Sequence, residues 1–301
     1  MKTVMVLGGA GFIGRHAVAA LLAANYRVIV GSRHPNRIQN RLKHHADQCA
    51  SREIRLENLT SPDAWPPHLA GVDALINCVG ILRERGQETY DDIHLHAPTA
   101  LAQACKQQGI RMVHVSALGL NHPHQSGFLR SKLAGEKSIQ ATGADYCLVR
   151  PSLLDGEGGY GASWIRRLSR LPVHLIPTRA TGKIAALDVA ELGEALAKLV
   201  DFAIAPDAHP AAREFDLGGL VHTDIGGLMQ SLRLAMTGAP AYQLGVPGQI
   251  ARLSCHICDL LHFSPFSFGH WELLQKDNLP HLNRLPELLG RTPRTLGSLS
   301  A

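Results

Sequence analysis

The sequence predicts an α/β fold, namely a doubly wound parallel sheet with a smaller C-terminal α+β lobe. Two observations support this prediction. Six short apolar runs alternate with stretches of helical periodicity up to residue 150, which is the pattern of β-α-β units. After Pro151 the alternation stops, and glycine and proline become frequent. We therefore expect a domain over residues 1–152, its sheet completed by later segments, and a lobe over 153–301 built against the strand ends.

The strands are predicted where β-branched and other apolar residues run together between turn-forming residues. These runs cover residues 3–7, 27–30, 53–56, 74–79, 112–115 and 146–149. A further short run at 214–217 has the same character. Because helical stretches separate the first six, the strands are expected to be parallel, joined by right-handed crossovers, in a sheet of about seven.

The helices are predicted from apolar residues spaced three, four and seven positions apart. They cover residues 12–24, 36–45, 90–108, 126–141 and, in the lobe, 188–199. Asn25, Gly109 and Gly143 stand where left-handed C-terminal caps are expected, and Thr89 stands where an N-cap is expected. Pro98 is expected to kink the third of these helices.

A glycine-rich motif, GGAGFIG at 8–14, lies between the first predicted strand and the first predicted helix. Gly8 would allow a tight turn, Gly11 would let the backbone approach a pyrophosphate, and Gly14 would let the helix pack closely on the strand. The helix N-terminus would supply N–H donors and a positive dipole to the phosphates. The motif predicts a bound dinucleotide; the alternative is a tight turn without a ligand.

The end of the second strand indicates which dinucleotide is bound. A carboxylate there would bind the ribose 2′-hydroxyl of NAD, but residues 30–37 contain no Asp or Glu. Ser32 can donate a hydrogen bond to a 2′-phosphate, Arg33 can clamp it, and Arg37 lies one helical turn further on. NADP is therefore favoured over NAD. In the alternative interpretation, Arg33 is a solvated surface cation.

The composition argues against several classes of protein. The net charge of +5 is spread along the chain and aromatic residues make up only 5%, so no nucleic-acid interface is expected. The six cysteines are scattered, which favours a reducing compartment such as the cytoplasm over a disulfide scaffold. The longest purely apolar run, residues 17–24, is far shorter than the ~18–20 residues that span a bilayer.

Further motifs follow in the order found in the extended and atypical short-chain dehydrogenase/reductases. They are Asn58-Leu59, NCVG at 77–80, HVSALG at 114–119, SKLAGE at 131–136 and RPS at 150–152. The chain resembles this superfamily from residue 1 to about 220 and more loosely beyond, which implies a Rossmann-type fold. The combination of VGILRERG (79–86), HVSALG (114–119) and RSKLAGE (130–136), with WELLQKDNLP (271–280), is similar to the accessory subunit of respiratory complex I and its bacterial epimerase/dehydratase-like relatives.

The resemblance implies a set of cofactor-binding residues. They are Gly8, Gly9, Ala10, Gly11, Phe12 and Ile13 at the pyrophosphate, Ser32 and Arg33 at the 2′-phosphate, Asn58 and Leu59 at the adenine, Cys78, Val79, Gly80 and Lys132 at the nicotinamide ribose, and Pro151 and Ser152 near the carboxamide. The resemblance also implies catalytic roles for Ser116 and Lys132.

The sequence departs from the superfamily at the general acid. That acid is a Tyr four residues before the Lys, but residue 128 is Phe, which cannot donate a proton. We therefore expect an NADP(H)-binding protein with a structural or sensing role beside a respiratory or quinone-linked system, in the cytoplasm or at a membrane surface. The alternative is an active NADP-dependent reductase or nucleotide-sugar epimerase/dehydratase with another acid. The candidates for that acid are Tyr90, Tyr160, His94, His96, His122 and His124.

Two features of the C-terminal part leave alternatives open. Cys255 and Cys258 form a C-x-x-C pair, which would need partners such as His262 or His270 to hold zinc; the favoured interpretation is a buried pair without a metal. The stretch 246–271 combines apolar residues with Arg252 and two histidines. It could dock on a membrane or a partner subunit, or simply pack on the lobe.

Overall fold

A computed structural model describes residues 1–205, 207–261 and 264–296. Its main sheet has seven parallel strands, namely β1 (Thr3–Leu7), β2 (Arg27–Ser32), β3 (Cys49–Glu53), β4 (Ala74–Asn77), β5 (Arg111–Val115), β6 (Tyr146–Pro151) and β10 (Glu214–Leu217). Their spatial order is β10-β6-β5-β4-β1-β2-β3. The predicted doubly wound parallel sheet is confirmed.

The helices of the structure vary from one turn to four. They are α1 (Phe12–Ala23), α2 (Ile38–Leu42), α3 (Pro66–Leu69), α4 (Ala97–Gln108), α5 (Gly127–Thr142), α6 (Tyr160–Ser169), α7 (Val189–Leu199), α8 (Ile225–Thr237), α9 (Gly248–Leu261), α10 (Phe268–Leu274) and α11 (Leu285–Leu289). Asn25, Gly109 and Gly143 have φ of +59°, +66° and +65°, the left-handed conformation that the caps require.

The two faces of the sheet carry separate apolar cores, because side chains alternate along each strand. Val4 and Val6 pack with α1 and α7, whereas Met5 and Leu7 pack on the other face with α4 and α5. Both faces are therefore covered by helices, as a parallel sheet requires.

Three predicted elements differ most from the observed ones, in their bounds or in their helix type. The third strand is Cys49–Glu53 rather than 53–56: it is a half-exposed edge strand of mixed polarity, and the buried Ile54 and Leu56 follow it. The second predicted helix, 36–45, has only five α-helical residues, flanked on both sides by 3-10 turns. The predicted helix over 90–108 is continuous but contains a π-helical turn at Asp92–His96, and Pro98 follows directly after that turn; the kink at Pro98 stays a prediction.

The C-terminal lobe contains two small parallel sheets. Strand β8 (Val173–Pro177) pairs with β11 (Tyr242–Val246), and β7 (Leu154–Asp155) pairs with β9 (Leu187–Asp188). The lobe is bonded to the carboxyl end of β6, where the Ser152 hydroxyl accepts from the Ala185 N–H at 3.1 Å. Within the described ranges, the longest apolar helix falls short of what crossing a bilayer requires.

Arg83, in the loop after β4, joins that loop to the lobe. Its side chain is only 8% exposed, and it donates to the Asp259 carboxylate of α9 at 2.9 Å and to the carbonyls of Ser264 and Phe266 at 2.7 and 2.8 Å. All three acceptors lie more than 170 residues further along the chain. A charged group with this many acceptors fixes the loop against α9 and the start of α10.

Candidate functional site

The glycine motif forms a tight turn between β1 and α1. Gly8 has φ +70°, and its N–H donates to the Gly31 carbonyl at 2.9 Å, while the Gly11 N–H donates to the Gly8 carbonyl at 2.8 Å. A Cβ added at Gly14 would lie 2.2 Å from the Gly8 carbonyl oxygen. The turn therefore needs glycine at 8 for its backbone angle and at 14 for the approach of helix to strand.

The other residues of the motif complete the same turn. A Cβ on Gly9 would lie 3.0 Å from both the Val6 carbonyl and the Val30 side chain, so Gly9 is held between the first two strands. Ala10 and Ile13 pack against the core on the α1 side of the sheet.

The N-terminus of α1 is open to an anion. Gly11 is its N-cap, and in the part of the chain that the structure describes no side chain caps the helix and no acidic residue occupies its first turn. The free N–H groups and the helix dipole would stabilise a diphosphate there. These residues therefore fit the pyrophosphate of a dinucleotide.

A second glycine-rich segment packs against side chains in the first turn of α1. The Arg15 guanidinium donates to the Glu157 carbonyl, and a Cβ on Gly159 would lie 2.6 Å from the Phe12 ring. Gly156 and Gly158 have positive φ, so the segment depends on glycine for its path. Our sequence analysis missed Arg15 and this segment, although four glycines within residues 156–161 were a visible signal.

Arg33 forms an ion pair with Glu88, and its side chain is 47% exposed. Ser32 lies beside it at the end of β2, and its hydroxyl accepts from the His34 N–H at 3.2 Å. Arg37 is exposed in the following turn. Since Glu88 is 55 residues away in sequence, no local pattern predicted the pair. A phosphate bound at Ser32 and Arg33 would compete with the Glu88 carboxylate.

The loop after β4 lies directly against the glycine turn. A Cβ on Gly8 would lie 3.1 Å from a Val79 methyl and 3.4 Å from the Cys78 carbonyl. Strand β4 ends at Asn77, two residues before its predicted end, because the Asn77 side-chain carbonyl accepts from the Val79 N–H at 3.0 Å and bends the chain. Burial raises the pKa of Cys78 to about 12, so its thiol stays neutral.

His94, in the π-helical turn, is part of a buried hydrogen-bond chain. Its Nε2 accepts from the Ile81 N–H at 3.1 Å, so the ring proton sits on Nδ1, which donates to the Ser131 hydroxyl at 2.9 Å. That hydroxyl donates to the Phe128 carbonyl at 3.0 Å. Burial lowers the pKa of His94 to about 2, with the nearby Lys132 charge contributing. Both ring nitrogens are engaged, and the ring is neutral.

Lys132 lies on α5 beside this chain. A Cβ on Gly80 would lie 3.6 Å from the Lys132 Nζ and 3.6 Å from His94 Nε2, so the Gly80 backbone lies close to both side chains. Within the described ranges no carboxylate forms an ion pair with Lys132, because Glu136 binds Arg150 at 2.7 Å instead. Burial lowers the pKa of Lys132 to about 8, and Glu136 opposes this shift. The N–H donors of Lys132 remain available for the hydroxyls of a ribose.

Ser116 lies at the carboxyl end of β5, and its hydroxyl is buried without a hydrogen-bond partner in the described structure. Its backbone N–H donates to the Val149 carbonyl at 2.7 Å, which holds it beside β6. A buried hydroxyl without a partner costs free energy, so this position is suited to a ligand that supplies one.

Phe128 lies four residues before Lys132, on the same face of α5, among other rings. Its centroid is 5.6 Å from that of His94, 6.1 Å from that of Tyr90 and 6.3 Å from that of His270. The Lys132 Nζ is 5.7 Å from the Phe128 centroid. The Tyr90 hydroxyl donates to the Leu82 carbonyl at 2.8 Å, and burial raises the pKa of Tyr90 to about 12. The space around Phe128 is therefore aromatic, and the phenol of Tyr90 in this group of rings is already donating.

The other candidate acids are more dispersed. His96 is exposed, and Tyr160 begins α6 with 54% of its surface exposed. His122 and His124 line a separate cavity of about 130 Å³ together with Glu272 and Asn278. His124 Nε2 donates to the Gly119 carbonyl at 2.8 Å.

The remaining predicted cofactor residues are Asn58, Leu59, Pro151 and Ser152. Three of them, Leu59, Pro151 and Ser152, already form hydrogen bonds within the protein. Leu59 is buried and its carbonyl accepts from the Trp65 indole, whereas Asn58 is exposed. The Pro151 carbonyl accepts from the Leu118 N–H at 3.1 Å. Because the Ser152 hydroxyl is bonded within the protein, contact with a carboxamide through that group stays a prediction.

The C-x-x-C pair lies on the inner face of α9. Cys255 and Cys258 are both buried. His270 is bonded to Ser267 at 2.9 Å, and His262 lies outside the described residues. Over the described ranges, no three His, Cys, Asp or Glu side chains are grouped so that they could hold a metal ion.

Comparison with curated proteins identifies several relatives. Ceramide reductase of Caulobacter vibrioides is 28% identical over 204 residues, which cover 67% of this chain and 61% of that protein. NADH dehydrogenase (ubiquinone) 1 alpha subcomplex subunit 9 of Rattus norvegicus is 30% identical over 153 residues, covering 50% of this chain and 40% of that protein. The chain thus spans less than two thirds of either relative. The predicted resemblance to the complex I subunit is confirmed.

Solved structures share the fold over nearly the whole chain. Citrobacter sp. triphenylmethane reductase complexed with NADP(H) superposes with a TM-score of 0.72 at 16% identity, covering 98% of this chain and 97% of that one. UDP-glucuronic acid 4-epimerase from Bacillus cereus, in complex with UDP-glucuronic acid and NAD, gives 0.70 at 15% identity, with 99% and 96% covered. A family model described as NAD(P)H-binding matches residues 8–197. The match covers more than half of the sequence, and the chain belongs to this NAD(P)H-binding family.

Proposed function

We propose that this protein binds NADP(H) as a structural or sensing ligand. It does not catalyse the carbonyl reduction that the short-chain dehydrogenases catalyse. One observation carries the proposal: Phe128 occupies the position four residues before Lys132, enclosed by the rings of Tyr90, His94 and His270. A bound nicotinamide supplies hydride-transfer chemistry, and reduction of a carbonyl also needs a proton donor.

The side chains around Phe128 do not replace the missing proton donor in this proposal, because their own protons are already donated within the protein. Neutral His94 donates its single ring proton to Ser131, and Tyr90 donates its proton to a backbone carbonyl. A general acid works best with a pKa near the working pH, whereas the pKa of His94 is lowered to about 2 and that of Tyr90 is raised to about 12. Phe128 itself has no proton to give.

The same site keeps the groups that would hold a cofactor. The open N-terminus of α1 would bind the diphosphate, and the free donors of Lys132 would bind ribose hydroxyls. Ser32 and Arg33, with no carboxylate in residues 30–37, favour the 2′-phosphate of NADP over NAD. Arg33 would exchange the Glu88 carboxylate for the phosphate dianion.

We also infer that the protein works beside a respiratory or quinone-linked system in the cytoplasm. The similarity to a subunit named for the mitochondrial NADH dehydrogenase supports this, over half of the present chain. Copurification of respiratory-complex subunits with the tagged protein, at unchanged yield in high salt, is the expected result.

The test of the proposal restores the missing acid. Calorimetry should show tight NADPH binding by the wild-type protein, and a panel of small carbonyl substrates should show no steady turnover. Phe128→Tyr should acquire measurable NADPH oxidation with that panel, while Phe128→Leu should not. Steady turnover by the wild-type protein that Ser116→Ala abolishes would contradict the proposal.

A second candidate function is an active NADP-dependent reductase in which the Lys132 ammonium donates the proton. Its lowered pKa of about 8, its lack of an ion-pair partner among the described residues and the unpartnered hydroxyl of Ser116 support this candidate. The similarity to a ceramide reductase suggests a lipid carbonyl as substrate. Turnover should then fall as the pH rises through about 8, and Lys132→Met should abolish turnover while NADPH still binds. If Lys132→Met retains turnover, replacements of Tyr160, His96, His122 and His124 would identify the acid.

A further inference from the structure

Exposed apolar side chains are concentrated in the C-terminal lobe. Among the described residues, every large apolar side chain that is strongly exposed, apart from Met1, follows residue 159. Isolated exposed leucines are normal, but a contiguous group marks an interaction surface. Two adjoining elements, α9 and the β8–β11 sheet, carry most of this group.

Helix α9 has its apolar face turned outward. Its buried positions hold small residues, namely Ala251, Cys255 and Cys258. Its exposed positions include Ile250, Leu253, Ile257 and Leu261, which are 58%, 62%, 45% and 62% exposed. The spacing of three, four and four residues places these four on one face, about 120° around the helix from the buried one. The helix therefore packs inward with its smaller residues and leaves its larger aliphatic residues in solvent.

The β8–β11 sheet continues this apolar character. In its parallel register Val173 lies beside Tyr242, and Leu175 lies beside Leu244. All four are exposed, whereas His174, between the two β8 positions, is buried. Because side chains alternate along a strand, the four residues share the outer face of the sheet.

The two elements adjoin through a short turn. The Thr178 N–H, just after β8, donates to the Val246 carbonyl at 2.9 Å, and α9 begins two residues later. A Cβ on Gly248 would lie 2.8 Å from the Arg179 side chain. We call the eight outward side chains the lobe surface. They are Val173, Leu175, Tyr242, Leu244, Ile250, Leu253, Ile257 and Leu261.

The segments that build the lobe surface are strongly basic. Residues 160–183 and 225–258 contain seven Arg and Lys residues and no Asp or Glu. Five of these cations are exposed: Arg167, Arg170, Arg179, Lys183 and Arg252. The carboxylate of Asp259, next along α9, is bound to Arg83. Protruding aliphatic side chains, in segments that also carry exposed cations, match a bilayer surface with anionic headgroups, because the acyl region accepts the former and the headgroups attract the latter.

We propose that the lobe surface docks this protein on anionic phospholipid membranes, with the aliphatic side chains of α9 entering the interface. The protein would lie on the membrane without crossing it. Membrane docking through the lobe surface does not depend on whether a bound dinucleotide reacts.

The experiment is flotation of the full chain with vesicles of two compositions, phosphatidylcholine alone and phosphatidylcholine mixed with phosphatidylglycerol. The wild-type protein should float with the mixed vesicles and much less with the neutral ones, and high salt should weaken the association. Equal flotation with both compositions, or with neither, would overturn the proposal.

Two sets of variants separate the apolar and charged contributions. Leu253→Glu with Ile257→Glu should reduce binding to mixed vesicles by about tenfold or more, since two inserted side chains are lost. Arg167→Ala with Arg170→Ala should reduce it by about fivefold per charge. Leu282→Glu, an equally exposed leucine outside the lobe surface, should leave it unchanged. Unchanged NADPH binding and circular dichroism would show that the variants are folded.

The same variants test the other occupants of the surface. Light scattering of the wild-type protein should give a monomer, or an oligomer that Leu253→Glu with Ile257→Glu leaves intact. An oligomer that this double variant dissociates, together with no flotation, would assign the surface to a second copy of the chain and overturn the proposal. Salt-sensitive capture of an acidic protein without flotation would overturn it as well.

Discussion

The two ends of the cofactor cleft are built by different means. At the predicted pyrophosphate end the groups that could meet a ligand belong to the backbone, within seven consecutive residues and one helix start. At the predicted nicotinamide end they are side chains on separate segments, namely Ser116, Lys132 and the ring of Phe128 with its neighbours. Under our proposal binding and chemistry are separable, because the first end offers backbone donors to a diphosphate while Tyr90 and His94 beside Phe128 already donate their protons within the protein.

The largest effect is expected at the backbone-built end. Gly14→Ala would place a methyl 2.2 Å from the Gly8 carbonyl oxygen, and neither helix nor strand can yield without opening the turn. We expect a loss of about 3 kcal/mol in the free energy of unfolding and no measurable NADPH binding. Gly161→Ala is the control, because its Cβ would lie 4.0 Å from the Pro265 side chain, an ordinary van der Waals distance. Denaturant unfolding and calorimetry measure both, and near-wild-type NADPH affinity in Gly14→Ala would contradict the close-packing argument.

The next effect concerns His94 and the dependence of the free energy of unfolding on pH. The pKa of His94 is about 2 in the folded protein and about 6.5 unfolded, so the unfolded chain binds the extra proton between these values. Stability from this group is complete above about pH 6.5 and falls as the pH decreases, by about 2 kcal/mol at about pH 5. Unfolding curves for wild type and His94→Gln should show a shallower acid decline in the variant. The exposed His96→Gln should behave like wild type, and identical slopes for all three would refute the assignment.

An effect of comparable size is expected at the predicted adenosine end of the cleft. Arg33→Ala should weaken NADPH binding by about 1.5–3 kcal/mol and leave NADH nearly unchanged, because a charge-assisted bond to the 2′-phosphate is lost. Arg37→Ala, one turn further on, is the matched comparison. Titrations with both coenzymes measure the difference, and equal weakening of the two would mean that Arg33 does not contact the phosphate.

The smallest effect is expected at Glu88, whose carboxylate pairs with Arg33. Glu88→Gln should strengthen NADPH binding by less than about 1 kcal/mol, since Arg33 would no longer have to leave an exposed ion pair. NADH binding should not change. Weaker NADPH binding in Glu88→Gln would instead show that Glu88 orients Arg33 for the phosphate.

The parts of the fold that sequence predicted well are those whose causes are local. The β1–α1 turn follows from glycines within seven residues, and the caps at Asn25, Gly109 and Gly143 follow from single residues that tolerate positive φ. The third strand was misplaced because its polar residues sit at a sheet edge, and the buried Ile54 beyond it gave the stronger apolar signal.

The parts of the site that sequence could not predict depend on distant partners. Glu88 reaches Arg33 across 55 residues, and His94 meets Ser131 across 37. His94 was a candidate acid in the sequence, but its environment makes it a neutral member of a hydrogen-bond chain, which only the packing of α5 against the π-helical turn could reveal. That Phe128 stands where the resemblance implies a Tyr was visible in the sequence, but the rings around it were not.

The buried guanidinium of Arg83 ties the loop after β4 to α9, and its three acceptors have a mechanical consequence. Separating the helix from the loop would break three charge-assisted hydrogen bonds at once, which costs free energy. Because Arg83 lies three residues after Gly80, we expect a displacement of α9 to displace the loop beside Lys132 as well.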